Sequence, residues 1–183
     1  TTLNSISLNG SFINLNKEGK QEFVLDRFKA TLGQGKLTGA LKIVDFKKPT
    51  IEGAINGAIS LKKIADFANI SSIDLSGNSK LDINYKLSIN EQGDDYKIEL
   101  INGNVDVLNM KADVIDQNIL IENTNGELIF DKKALRSNLI RGELNGSSFE
   151  THLNFNNFLD YITGISSSLT VNSDIKIEEL NLG

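Results

Sequence analysis

The feature that most constrains this chain is an alternation of apolar and polar residues with a period of two. From Leu81 to Ile89, the side chains of Leu81, Ile83, Tyr85, Leu87 and Ile89 fall on one side, and Asp82, Asn84, Lys86 and Ser88 fall on the other. Successive side chains of a strand point to opposite faces, so this pattern predicts a half-buried β-strand with one dry and one wet surface. Nine residues at about 3.3 Å each reach roughly 30 Å. The same alternation recurs over Lys36–Val44, Ile51–Leu61, Val105–Ala112, Ile119–Ile121, Gly126–Phe130, Phe149–Phe155 and Leu169–Leu182.

Turn-forming residues separate these stretches. Asn9-Gly10, Lys17 to Lys20, Glu91 to Asp95, Asn102-Gly103, Asn125-Gly126 and Asn145-Gly146 supply positions at which a chain adopts positive φ, as tight hairpins require. An Asn-Gly pair within a strand has a second reading as a bulge that bends the sheet. The single proline, Pro49, falls between two strand patterns and is expected in a loop or at an edge. Helical spacing is confined to Leu61–Asn69 and to Asn156–Ile162. Both are too short to cross over between parallel strands, so consecutive strands are expected to run antiparallel.

The expected fold is therefore a single all-β domain over residues 1–183. We expect an elongated, curved antiparallel sheet forming an apolar groove, with one or two short helices. A β-sandwich is the alternative, because inward-facing residues look alike whether they meet another sheet or a guest. The residues expected to line the groove are Leu81, Ile83, Tyr85, Leu87, Ile89, Val105, Val107, Leu128, Phe130, Phe149, Leu153 and Phe155.

Composition narrows the function. Of 183 residues, 39% are hydrophobic and 23% charged, as in folded soluble proteins, and the net charge is -5. That balance, with no basic stripe, argues against nucleic acid as a partner. No cysteine is present, which excludes thiol catalysis, disulfides and thiolate zinc sites. No apolar run approaches the roughly 18 residues of a membrane-spanning helix. The chain begins Thr1-Thr2-Leu3 and ends at Leu182-Gly183 within a strand-like pattern, and is expected to be a fragment of a longer protein.

Candidate chemical motifs read more simply as structure. The only histidine, His152, alternates against Thr151 and Leu153 and belongs on the polar face, as a solvated residue rather than a general base. Glu91, Asp94 and Asp95 lack the spacing of a calcium loop and read as a hairpin tip. Gly33 and Gly35 precede no helix, so no helix N-terminus awaits a phosphate. Arg136 and Arg141 flank Leu139-Ile140 after Lys132 and Lys133; solvated strand charges are the expectation, with a lipid head-group contact as the alternative. The chain is expected to be no enzyme, with neither cofactor nor metal.

Several stretches resemble the AsmA-like family of bacterial envelope proteins, related to TamB and to eukaryotic bridge-like lipid transfer proteins. They are Gly39-Ala-Leu-Lys-Ile-Val-Asp-Phe ahead of Pro49; Ile51 to Leu61 running into Lys62–Phe67; and Leu75-Ser-Gly before Leu81–Ile89. Gly126-Glu-Leu-Ile-Phe, Gly142-Glu-Leu-Asn-Gly-Ser-Ser-Phe and Ser173-Asp-Ile-Lys-Ile-Glu-Glu-Leu complete the set. The resemblance covers roughly residues 36–183. It implies a periplasmic groove that binds lipid acyl chains, tethered to the inner membrane by an N-terminal helix missing from this chain. It also implies a part in phospholipid transport between membranes or in outer-membrane homeostasis, and no catalytic residues.

Overall fold

A computed structural model describes residues 3–15, 17–67, 73–90, 96–114, 117–162 and 165–178. The strands are β1 (Leu3–Ile13), β2 (Glu22–Leu32), β3 (Gly35–Val44), β4 (Thr50–Ser60), β5 (Ile73–Ile89), β6 (Tyr96–Val114), β7 (Ile119–Asp131), β8 (Ala134–Ser137), β9 (Ile140–Leu144), β10 (Ser147–Asn156) and β11 (Thr170–Ile177). Two helices, α1 (Leu61–Phe67) and α2 (Phe158–Ile162), lie where the sequence places helical spacing. The expected turn at Glu91–Asp95 lies outside the described residues, as do positions 68–69 of the first expected helix and 179–182 of the last expected strand.

All eleven strands belong to one antiparallel sheet that follows chain order. β8 and β9 are two halves of one strand position. Each pairs with β7 on one side and β10 on the other. The break falls at Asn138, whose backbone N–H donates to Glu127 O at 3.1 Å and whose side-chain amide donates to Glu127 Oε2 at 2.6 Å. The sheet is thus a ten-position meander, and the described strands form no second sheet. The β-sandwich alternative is not realised.

Two strands are far longer than the alternation alone suggests: β5 has 17 residues and β6 has 19. The expected stretches 119–121 and 126–130 are one continuous strand, β7. Of the Asn-Gly pairs, Asn145-Gly146 makes the β9–β10 turn, with both residues at positive φ. Asn9-Gly10, Asn102-Gly103 and Asn125-Gly126 are not turns but lie inside β1, β6 and β7, as the second reading of such pairs has it; register shifts fall at Asn9/Gly10 and between Glu122 and Asn125.

Besides single-residue register shifts near the start of β1 and at Glu99 of β6, three bulges crease the sheet where a strand is paired on both sides. The extra residue on β2 sits near Asp26, that on β6 near Asn109, and that on β7 near Asn123. Asn109 and Asn123 take φ of 48° and 52°, a region asparagine tolerates better than most residues. The two bulges are tied together. Asn109 N–H donates to Asn125 Oδ1 at 2.9 Å, and the Asn125 amide donates to Asn123 O at 2.8 Å. On the neighbouring strand, Gly77 has φ 107°, and a Cβ there would sit 2.6 Å from Asn109 O. Gly77→Ala is therefore expected to destabilise the protein by about 1–3 kcal/mol. A lower urea midpoint with an unchanged denaturant slope would show it.

Candidate functional site

Directly paired residues of an antiparallel ladder project from the same face, so the register shows what that face contains. The central row runs through Leu8, Phe28, Gly39, Ile55, Ile83, Gly103, Phe130, Leu135, Phe155 and Val171. It crosses all ten strand positions without a polar side chain. Beside it, Ile6, Ala30, Leu37, Gly57, Leu81, Val105 and Leu128 form a second apolar row that ends at Ser137. On the other side come Gly10, Leu25, Leu41, Gly53, Tyr85 and Ile101, and then Phe12, Phe23, Ile43, Ile51, Leu87 and Ile98.

The intervening row points the opposite way. It consists of Ser7, Lys29, Thr38, Asn56, Asp82, Asn104, Ile129, Arg136, Asn154 and Asn172, and only Ile129 is apolar. One face is dry and the other wet along the whole meander.

The dry face is not sealed. In the central row, the eight inner residues are half-buried, and Leu8 and Val171 at the two edge strands are exposed. Among the described residues the buried apolar side chains are Leu25, Ile59, Leu61, Ala65, Ala112, Ala134, Ile140 and Leu159, and three of these are alanines. The chain exposes 11804 Å², whereas a compact folded monomer of 20.1 kDa exposes about 8,700 Å². The excess is about 3,000 Å².

Short elements cover the ends of this face. α1 contacts β4 and β5, where Ile59 and the fully buried Ser79 pair, and the Ser79 hydroxyl donates to Ile59 O at 3.1 Å. At the other end of the strands, Phe158 of α2 meets Phe155 at 6.5 Å, edge to face. On β5, burial pushes the Tyr85 phenol above its usual pKa, in keeping with its place on the dry face.

All twelve residues expected to line a groove lie on this face. Leu81, Val105 and Leu128 share one row; Ile83, Phe130 and Phe155 share the central row; Tyr85 and Leu87 belong to the two rows beyond. Ile89 pairs with Tyr96, Val107 with Ser79 and Gly126, Phe149 with Gly142 and Ile177, and Leu153 with Ser173. Each is half-buried. The reading from sequence missed the first two strands, including Leu8 and Phe28. The alternation of Ile6, Leu8, Gly10 and Phe12 was the available signal for β1. In β2 the bulge near Asp26 breaks the period.

Ion pairs lace the wet face. Lys86 lies between Glu52 at 3.9 Å and Glu99 at 3.7 Å, and Arg141 Nε meets Glu150 at 2.7 Å. A hydrogen bond from Ser88 is the main reason the Glu99 carboxyl lies below its ordinary pKa; for Glu150 the main reason is the bond from Arg141. Arg136 is held by Asp131 at 3.0 Å, so both arginines that suggested a head-group contact already have carboxylate partners. His152 is exposed and pairs with Asp174 in the β10–β11 ladder. A depression of about 480 Å³ on this face lies over Ala40 and Ala54, rimmed by Lys42, Glu52 and Lys86. Its floor reflects two small side chains among longer ones. Among the described residues, no group of three or more acidic or histidine side chains is placed to hold a metal.

Comparison with protein-family models, with curated proteins and with solved structures gives no significant match for this chain.

Two outcomes follow from this geometry. Ile83→Ala is expected to cost less than about 2 kcal/mol, against the 2–5 kcal/mol typical of a sealed core, because its side chain is only partly buried. Urea denaturation measures it. The second concerns Asp131, whose Oδ1 accepts the N–H groups of Lys133 at 2.7 Å and Ala134 at 3.0 Å. These bonds, the first above all, and Arg136 hold its carboxyl below the usual range. Its contribution to stability is therefore complete above the unfolded-state pKa of about 3.9 and is lost as pH falls through the lower folded-state value. Asp131→Asn keeps the acceptor oxygen and should flatten this acid-side decline in urea midpoints.

Proposed function

We propose that this chain is a lipid-binding segment that carries acyl chains along its apolar face. The observation that carries the reading is the central row, apolar across all ten strand positions and only partly buried along its inner length. Exposing an acyl chain of about 16 carbons to water costs roughly 12 kcal/mol, at about 0.8 kcal/mol per methylene. A continuous dry surface removes most of that cost without directional contacts, which favours low selectivity among lipids.

The dimensions suit such a guest. Ten strand positions spaced about 4.8 Å apart make a row roughly 43 Å long. One leaflet of a bilayer's hydrocarbon is about 15 Å thick, half of the usual core. The row therefore accommodates an acyl chain lying along it, with room for the chain to advance.

The resemblance to AsmA-like proteins supplies the setting. In this reading the chain is a periplasmic segment of a protein anchored in the inner membrane, acting in phospholipid transport between membranes or in outer-membrane homeostasis. It is not an enzyme. The competing role, a structural or adhesive sandwich module, calls for a second sheet over the apolar face.

Native mass spectrometry of the purified chain is expected to show co-purified lipid, and a fluorescent fatty-acid probe should bind and be displaced by phospholipid. Ile83→Asp, in the middle of the row, should weaken probe binding at least tenfold, while Thr38→Asp on the wet face leaves it unchanged. A folded chain with neither lipid nor probe bound would overturn the proposal.

A further inference from the structure

One corner of the sheet combines exposed apolar side chains with lysines. It is built from the β1–β2 and β3–β4 connections, which are tied together. Asp45 N–H donates to Gln21 O at 2.8 Å, Lys20 Nζ lies 3.9 Å from Asp45, and the rings of Phe12 and Phe46 meet at 6.0 Å. Asp45 also orders its own turn, accepting the N–H groups of Lys47 at 3.2 Å and Lys48 at 3.3 Å.

On this frame Leu15 is 66% exposed, Phe12 58%, Phe46 45% and Ile13 43%. A protein does not ordinarily leave a contacting pair of aromatic rings exposed to water with an exposed leucine three residues further on, so the corner marks a contact surface; Ile13, next to Phe12 in β1, projects from the other face. The two connections that carry it contain Lys17, Lys20, Lys47 and Lys48, against the carboxylates of Glu18 and Asp45. The corner is net positive in a chain whose net charge is -5.

We propose that this corner docks on the surface of an anionic lipid bilayer, with Phe12, Leu15 and Phe46 entering the interface and the lysines facing lipid phosphates. Apolar tips ringed by lysine match the two attractive components of such a surface. The position gives the contact a use. Phe12 begins the apolar row that continues through Phe23, Ile43, Ile51, Leu87 and Ile98, so the docked corner is continuous with the dry face. A lipid leaving the bilayer there meets apolar side chains throughout. This inference rests on the lipid-binding reading above and adds where the cargo enters.

Flotation with vesicles tests it. The chain should float with vesicles of phosphatidylcholine containing one-third phosphatidylglycerol, and much less with pure phosphatidylcholine. Leu15→Asp combined with Phe46→Asp should abolish flotation. Lys47→Glu combined with Lys48→Glu should reduce it about tenfold or more and remove its dependence on phosphatidylglycerol. Lys132→Glu combined with Lys133→Glu makes the same charge change in another turn and should have no effect. Absence of flotation, or equal loss in the control variant, would overturn the docking surface. Fatty-acid probe binding in solution separates the two proposals. Corner variants should keep it, whereas Ile83→Asp should lose it and still float.

Discussion

In an antiparallel ladder a slip of one residue turns a whole strand over, exchanging its dry side for its wet side. A row that stays apolar across ten strand positions therefore depends on nine successive registers all being in phase. The bulges are arranged to keep that phase. The extra residue on β2 is an insertion relative to both β1 and β3, that on β6 relative to both β5 and β7, and that on β7 relative to both β6 and β9. Each of these three bulges thus bends its strand without putting either neighbour out of step. Along β6 the dry side passes from Val105 and Val107 to Met110 and Ala112, and along β7 from Ile119 and Ile121 to Leu128 and Phe130.

That phase change decides what could be read from the chain alone. Where the period is unbroken, as from Leu81 to Ile89, the strand and its two faces are legible directly, and the groove-lining set drawn from such stretches falls on one face. Where a bulge intervenes, odd-numbered apolar residues give way to even-numbered ones, and β7 looks like two strands with a turn at Asn125-Gly126. In β2 the apolar positions are Phe23 and Leu25, then Phe28 and Ala30, and no regular alternation survives. The Asn-Gly pairs kept two readings, turn or bulge, for a related reason. Glycine serves turns and also places where backbones approach closely, and a single sequence does not tell these apart. What no local pattern encodes is whether a dry face meets another sheet, because that depends on tertiary closure.

The open face shapes the energetics of the whole molecule. Few large side chains are buried, so the hydrophobic contribution comes from many half-covered residues rather than from a packed interior. Cross-strand pairs carry much of the rest. On the wet face, exposed ion pairs such as Arg141 with Glu150 contribute little individually, on the order of 1 kcal/mol or less. Their larger effect is on pairing, because Arg141 opposite Glu150 and Lys86 opposite Glu52 disfavour registers that would bring like charges together.

The meander has a consequence for cooperativity. Because each strand touches mainly those before and after it in sequence, the molecule behaves nearly as a one-dimensional stack, with stability summed from strand-to-strand interfaces. Loops that close are short in sequence, so zipping from one hairpin outwards incurs little chain entropy at each step. The outermost strands are then the first to fray, and opening at one margin leaves the middle of the sheet standing.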